Sequence, residues 1–267
     1  MKKLIICLIL IVWLGFAVMA QVGEQRVALI IGNSQYAETP LRNPANDATD
    51  VGRRLATLGF DVTVLTNATQ EQMEEAAYRF GTALSAGGVG FFYYAGHGAQ
   101  YNGENYLIPV DAKIRSAADL RYKALSAGLI LSYMTEARNR LNMIILDACR
   151  DNPFAGARSG SRGLAVVDEL PTGSVIVYAT APGRTAQDRE GRNSPFTEAF
   201  LEHVDTVGIG VKEMFDLVGR DVSDQTFGEQ RPWISHDFYD EFTFTAAEDS
   251  EEAQPSTEAD DDEGAVT

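Results

Sequence analysis

Ile144-Ile145-Leu146-Asp147-Ala148-Cys149-Arg150-Asp151 decides how this chain is read, together with Tyr93-Tyr94-Ala95-Gly96-His97-Gly98 upstream of it. Each stretch opens with a short apolar run, the mark of a strand buried on both faces of a parallel sheet, and each ends on a residue able to do chemistry. In open α/β sheets, ligands bind in the crevice beyond the carboxyl ends of the strands. Two such ends can bring a thiol and an imidazole together. Cys149 is one of two cysteines in the chain, the other being Cys7.

Outward from these two strands, strand-like and helix-like patterns alternate, as in a mainly parallel sheet covered by helices. Strands are expected at Val27–Ile31, Asp61–Leu65, Val89–Tyr94, Met143–Ala148 and Ser174–Ala179, with a short last strand near Trp233. Helices are expected at Asp47–Leu58, Thr69–Leu84, Leu125–Leu141, Pro195–Val204 and Val211–Thr226. Thr69 and Gln72 form a capping-box pair at the start of the second of these. The stretch Asp151–Gly173, rich in Gly, Ser and Arg, is too long and polar for a simple connection and reads as a functional loop or a cleavage-prone linker.

The ends of the chain differ from its middle. Residues 1–20 join Lys2 and Lys3 to an apolar run from Leu4 to Met19, with small residues at Val18 and Ala20, which is the layout of a signal peptide cut after Ala20. About 16 apolar residues fall short of the ~20 that span a bilayer, so export to the periplasm or beyond is expected, without stable membrane insertion afterwards. From Ala246 to Thr267 the chain carries nine acidic residues and no basic one, too little apolar surface to offset ordering, and is expected to be a disordered tail. Between them, residues 21–245 form one expected domain. Without the tail the formal charge of −16 falls to −7, which makes nucleic acid an improbable partner. With Cys7 in the leader, Cys149 has no disulfide partner in the mature chain.

A cysteine attacks as thiolate, and a nearby imidazole both favours that form and can protonate a departing amine. Cys149 follows His97 by 52 residues, and in caspases the histidine precedes the nucleophile by about 50. The landmarks Arg26-Val-Ala-Leu-Ile-Ile-Gly-Asn33, Asn46-Asp47-Ala48, Tyr93-Tyr-Ala-Gly-His-Gly98, Asp147-Ala-Cys149 and Asn193-Ser-Pro-Phe196 fall in the order seen in caspase-like cysteine peptidases. Over roughly Arg26–Phe244 the chain resembles that family, its bacterial metacaspase-like group most of all. The resemblance implies an α/β fold, a caspase-like three-layer α/β/α sandwich with a mainly parallel six-stranded sheet. It implies an endopeptidase acting on protein or peptide substrates, with Cys149 as nucleophile, His97 as proton donor to the leaving group, and the backbone N–H groups of Gly98 and Cys149 as oxyanion hole. No cofactor is expected, with a calcium requirement left open by the sequence, and with one mature cysteine and three scattered histidines a structural zinc site has no plausible ligand set.

Animal caspases carry glutamine two positions before the nucleophile and cut after aspartate; metacaspase-like enzymes carry an acid there and cut after Arg or Lys. Asp147 holds that position, and Asp47 matches a second acid of the same pocket. Carboxylates beside a desolvated guanidinium gain charge-assisted hydrogen bonds, whereas a substrate aspartate would be repelled. An enzyme of this preference could cut itself at Arg158 or Arg162. Other readings of these residues stay open at this level. Asp47 could serve a helix N-terminus, Asp147 could pair with Arg150 as a structural ion pair, and Gly96 and Gly98 could mark a plain turn. His203 and His236 are expected in core or surface roles. For the whole chain, a catalytically silent binding or scaffold module and a redox-active thiol protein are the competing functions.

Overall fold

The computed structural model describes residues 24–149, 164–167, 169–181 and 189–246, with Cys149 described by its backbone. The expected leader, the acidic tail beyond 246, and Arg150, Asp151, Arg158 and Arg162 lie outside the described residues. In chain order the elements are β1 (Arg26–Gly32), α1 (Pro44–Thr57), β2 (Asp61–Thr66), α2 (Gln70–Ala83), β3 (Val89–Tyr101), β4 (Glu104–Leu107), a single 3-10 turn (Ala117–Asp119), α3 (Leu120–Lys123), β5 (Leu125–Ser126), α4 (Ala127–Glu136), β6 (Leu141–Cys149), β7 (Ser174–Tyr178), α5 (Pro195–His203), α6 (Val211–Gln225) and β8 (Trp233–His236). The strands lie in the order β2-β1-β3-β6-β7-β8, all parallel except β8, which runs antiparallel to β7. β4 adds to the end of β3, and β5 to β4, both antiparallel.

Continuous apolar runs in β3 and β6 follow from burial on both faces. Phe91, Tyr93, Met143 and Ile145 pack with Val51 and Leu55 of α1, Phe196 and Phe200 of α5 and Met214 and Phe215 of α6. Phe92, Tyr94, Ile144 and Leu146 pack on the other side with Met73 and Phe80 of α2 and Ile130 and Met134 of α4. Alternation of side chains along a strand assigns one set to each face, and the result is the expected three-layer sandwich. By the same alternation Asp147 belongs to the α1/α5 face.

Local signals set most boundaries. Pro44 starts α1 three residues earlier than expected, in the first-turn position where its missing N–H costs nothing. The Thr69–Gln72 capping box is present at α2. Two expectations need correction. Leu125–Leu141 is not one helix: Leu125 and Ser126 pair with β4, α4 ends at Glu136, and Arg138 takes a left-handed backbone (φ 57°) before Leu141 enters β6. β3 does not stop at Tyr94 but runs through His97 to Tyr101, where Asn102 and Gly103 (φ 53° and 80°) make the tight hairpin that an Asn-Gly pair favours.

Candidate active site

Parallel pairing of β3 with β6 makes His97 and Cys149 direct register partners, the last pair of that ladder. Neighbouring strands lie about 5 Å apart, so the backbone sets the two positions side by side at the carboxyl ends of β3 and β6. His97 is buried, 4% exposed. Its Nε2 lies 2.7 Å from the carbonyl oxygen of Thr39 and 3.0 Å from the Thr39 hydroxyl. A carbonyl only accepts, so Nε2 carries the proton, and the lone pair of the neutral ring sits on Nδ1. Thr39, in the loop between β1 and α1, was not singled out in the sequence. Its main-chain oxygen could have belonged to any residue type.

Gly98 lies one step past His97. Ile108 N–H donates to His97 C=O at 3.0 Å, so Gly98 and Leu107 form a pair without mutual hydrogen bonds in the β3–β4 ladder. The N–H of Gly98 therefore points away from β4, toward the side on which β6 ends at Cys149. Neither Gly96 nor Gly98 marks a turn; both lie within β3. A Cβ on Gly98 would stand 3.1 Å from Ala148 Cβ and from Leu164 Cδ2. The close approach at Gly98 thus comes from β6 and the 164–167 segment.

The two acids converge on one residue. Asp47 is in the first turn of α1 and Asp147 two residues before Cys149, and both are buried. Ser194 donates its N–H to Asp47 Oδ1 at 3.0 Å and its hydroxyl to Asp147 Oδ2. Asn193 Nδ2 adds a bond of 3.0 Å to Asp47, and the Thr197 hydroxyl one of 3.2 Å to Asp147. Tyr93 lies below, its hydroxyl 3.4 Å from Asp147 Oδ2 and 2.6 Å from Thr197 Oγ1. Burial, and after it the charges of Asp147 and Asp47, hold the Tyr93 phenol well above its ordinary range, so it remains a donor. One neutral phenol thus senses both carboxylates.

Ser194 also caps α5, accepting from Thr197 N–H at 3.0 Å, with Pro195 as the first helical residue. Serine followed by proline announces such a cap in the sequence. Nothing local announces its bonds to acids 147 and 47 residues away. The segment before it is clasped to α1: Arg192 binds Asp50 through two nitrogens at 2.7 and 2.9 Å, and Asn43 and Asn46 donate to the carbonyls of Gly191 and Arg192. Arg192 foremost holds the Asp50 carboxyl below its usual range, against the opposing effect of burial. His203 bonds Asp221 at 2.6 Å across α5 and α6, and His236 packs edge-on to Tyr239. The first lies between two helices and the second at the surface.

The caspase domain model (Peptidase_C14) matches residues 25–243 of this chain. Human mucosa-associated lymphoid tissue lymphoma translocation protein 1 is 33% identical over 168 residues, 61% of this chain and 19% of that protein. A probable protease of a Desulfuromonadales bacterium is 32% identical over 146 residues, 50% of this chain and 17% of that protein. The chain thus spans about a fifth of the length of the curated relatives it matches. The crystal structure of caspase-1 from Spodoptera frugiperda superposes with a TM-score of 0.63 at 16% identity, covering 85% of this chain and 95% of that one, a likeness of fold. With the family model spanning the sheet and every residue of the site above, the chain belongs to the caspase domain family of cysteine peptidases.

Proposed function

We propose that this protein is an exported cysteine endopeptidase that cuts peptide bonds after Arg or Lys. The observation that carries the reading is the register pairing of His97 with Cys149 on adjacent strands. In this mechanism the Nδ1 atom of His97 takes the thiol proton of Cys149. The thiolate then attacks the scissile carbonyl, and the same nitrogen returns the proton to the departing amine. Gly98 and Cys149 N–H groups hold the oxyanion, each worth about 3 to 4 kcal/mol in such a hole. Water releases the acyl group from Cys149 in the second half of the cycle, with His97 as base.

Specificity rests on Asp47 and Asp147, buried together and both bonded to Ser194. A guanidinium entering that recess meets two carboxylates in a medium where charge-assisted bonds are strong, and a carboxylate would meet repulsion. Self-cleavage at Arg158 or Arg162, removal of residues 1–20, release from the membrane and an extracytoplasmic location complete the proposal.

Peptide reporters differing only in Arg, Lys, Asp or Ala before the cut, given to the mature protein and to Cys149→Ala, test it. Turnover of the Arg and Lys reporters by the native protein alone is expected. Preference for Asp would overturn the specificity. No turnover of any reporter would favour the scaffold reading.

A further inference from the structure

In a closely spaced antiparallel pair, two residues exchange both of their N–H···O=C bonds. His97 of β3 and Ile108, just past β4, make only one of the two. Ile108 N–H donates to His97 C=O at 3.0 Å, but His97 N–H donates instead to the Tyr36 hydroxyl at 3.0 Å, and that hydroxyl lies 3.0 Å from Ile108 C=O. A phenol from the loop after β1 is thus inserted into the ladder, completing the missing bond in two steps. Tyr94 supports it from β3 itself, three residues before the histidine. Its hydroxyl lies 3.2 Å from that of Tyr36, donates to His97 C=O at 2.7 Å, and accepts from Ile108 N–H at 3.1 Å. Both main-chain groups of the histidine therefore rest on tyrosine hydroxyls.

Room for the two phenols exists because residue 96 is glycine: a Cβ there would stand 2.7 Å from each hydroxyl oxygen, and its φ of 151° suits a residue without a side chain. The Tyr36 ring also lies against the imidazole, with centroids 4.3 Å apart. Three residues further along the same loop, Thr39 fixes Nε2. One segment therefore sets both the backbone and the ring of His97.

We propose that Tyr36 and Tyr94 are positioning residues for His97, their hydroxyls fixing its height in the sheet so that its imidazole stays within proton-transfer reach of Cys149. The inference rests on the reading of Cys149 and His97 as the reacting pair. A transfer of this kind tolerates little misplacement, and a shift of about 1 Å can cost 10²-fold. Removing the Tyr36 hydroxyl takes away the acceptor of the buried His97 N–H, while the Ile108 carbonyl keeps the Asn33 side-chain amide at 3.1 Å, so the strand must shift for the N–H to find a new acceptor.

The test compares the native protein, Tyr36→Phe, Tyr94→Phe and, as a neutral control, the exposed Tyr78→Phe, by steady-state hydrolysis of an Arg reporter and by alkylation of Cys149 with iodoacetamide at pH 6 and pH 9. For Tyr36→Phe, kcat is expected to fall tenfold or more with KM within twofold, since the acid recess is untouched. Alkylation is expected to slow at least fivefold at pH 6, where the thiolate depends on the imidazole, and less than twofold at pH 9. Tyr94→Phe follows in the same direction with a smaller loss, and it carries the test alone if Tyr36→Phe does not fold. Native kcat and native alkylation at both pH values in a folded variant would overturn the proposal, as would an equal slowing at both. A native protein that turns over no reporter would instead overturn the functional reading, while the alkylation ratio still judges the tyrosine pair.

Discussion

The two sides of the site are held by different kinds of force. On the β1 side, His97 rests on uncharged groups: the Thr39 carbonyl and the hydroxyls of Tyr36 and Tyr94. On the α1/α5 side, Asp47 and Asp147 crowd two carboxylates onto Ser194, with the Arg192–Asp50 pair clasping the adjacent segment. Neutral hydrogen bonds fix direction and are little affected by salt. Buried like charges repel one another and depend on the donors and charges around them. In the proposed function the first side carries the chemistry and the second the selection, and the two should separate by mutation.

The largest effect should come from the nucleophile. Cys149→Ala is expected to lower kcat/KM at least about 10⁴-fold on every reporter, because it removes covalent catalysis whatever the recess holds. Asp147→Asn should act on one reporter only, lowering kcat/KM for Arg by about 30-fold or more, ~2 kcal/mol, while an Ala reporter changes by less than about threefold. Equal losses on both would merge the two sides. Ser194→Ala removes the shared partner of the acids and the cap of α5. A rise of several-fold in KM for Arg with a stability loss of about 1 kcal/mol, read by urea unfolding, is the expected outcome.

The smallest effect concerns the clasp. The folded-state value of Asp50 is depressed, so its pairing contributes above the unfolded carboxyl value of about 3.9 and is lost as pH falls through the lower folded value. Arg192 is exposed, so Arg192→Met should cost only a small, salt-sensitive loss of stability at pH 7, read by urea unfolding. That difference should shrink as the pH is taken below about 4. A penalty that stays constant down to pH 3 would show that packing, not charge, holds the segment.

The layered sheet was legible because the apolar runs at Phe91–Tyr94 and Met143–Leu146 are buried on both faces and leave an unambiguous pattern. The register pairing of His97 with Cys149 was legible for the same reason, since both follow those runs at equal depth. The hairpin at Asn102-Gly103 carried a local signal that went unused, and Leu125–Ser126 read as helix because short apolar runs do not distinguish the two states. What holds the histidine was not legible. Tyr36 and Thr39 reach it from about 60 residues away in sequence, one through a phenol that reads as core and the other through a main-chain oxygen. Likewise Asp50 and Arg192 are 142 residues apart, and only the packing of α5 beside α1 brings them together.

Alkylation of Cys149 across pH 5 to 9 in the native protein and in His97→Ala tests the pairing most directly. The account predicts that the native thiol reacts at pH 6 at least tenfold faster than that of the variant, the two rates converging by pH 9. Superimposable profiles over the whole range would contradict it.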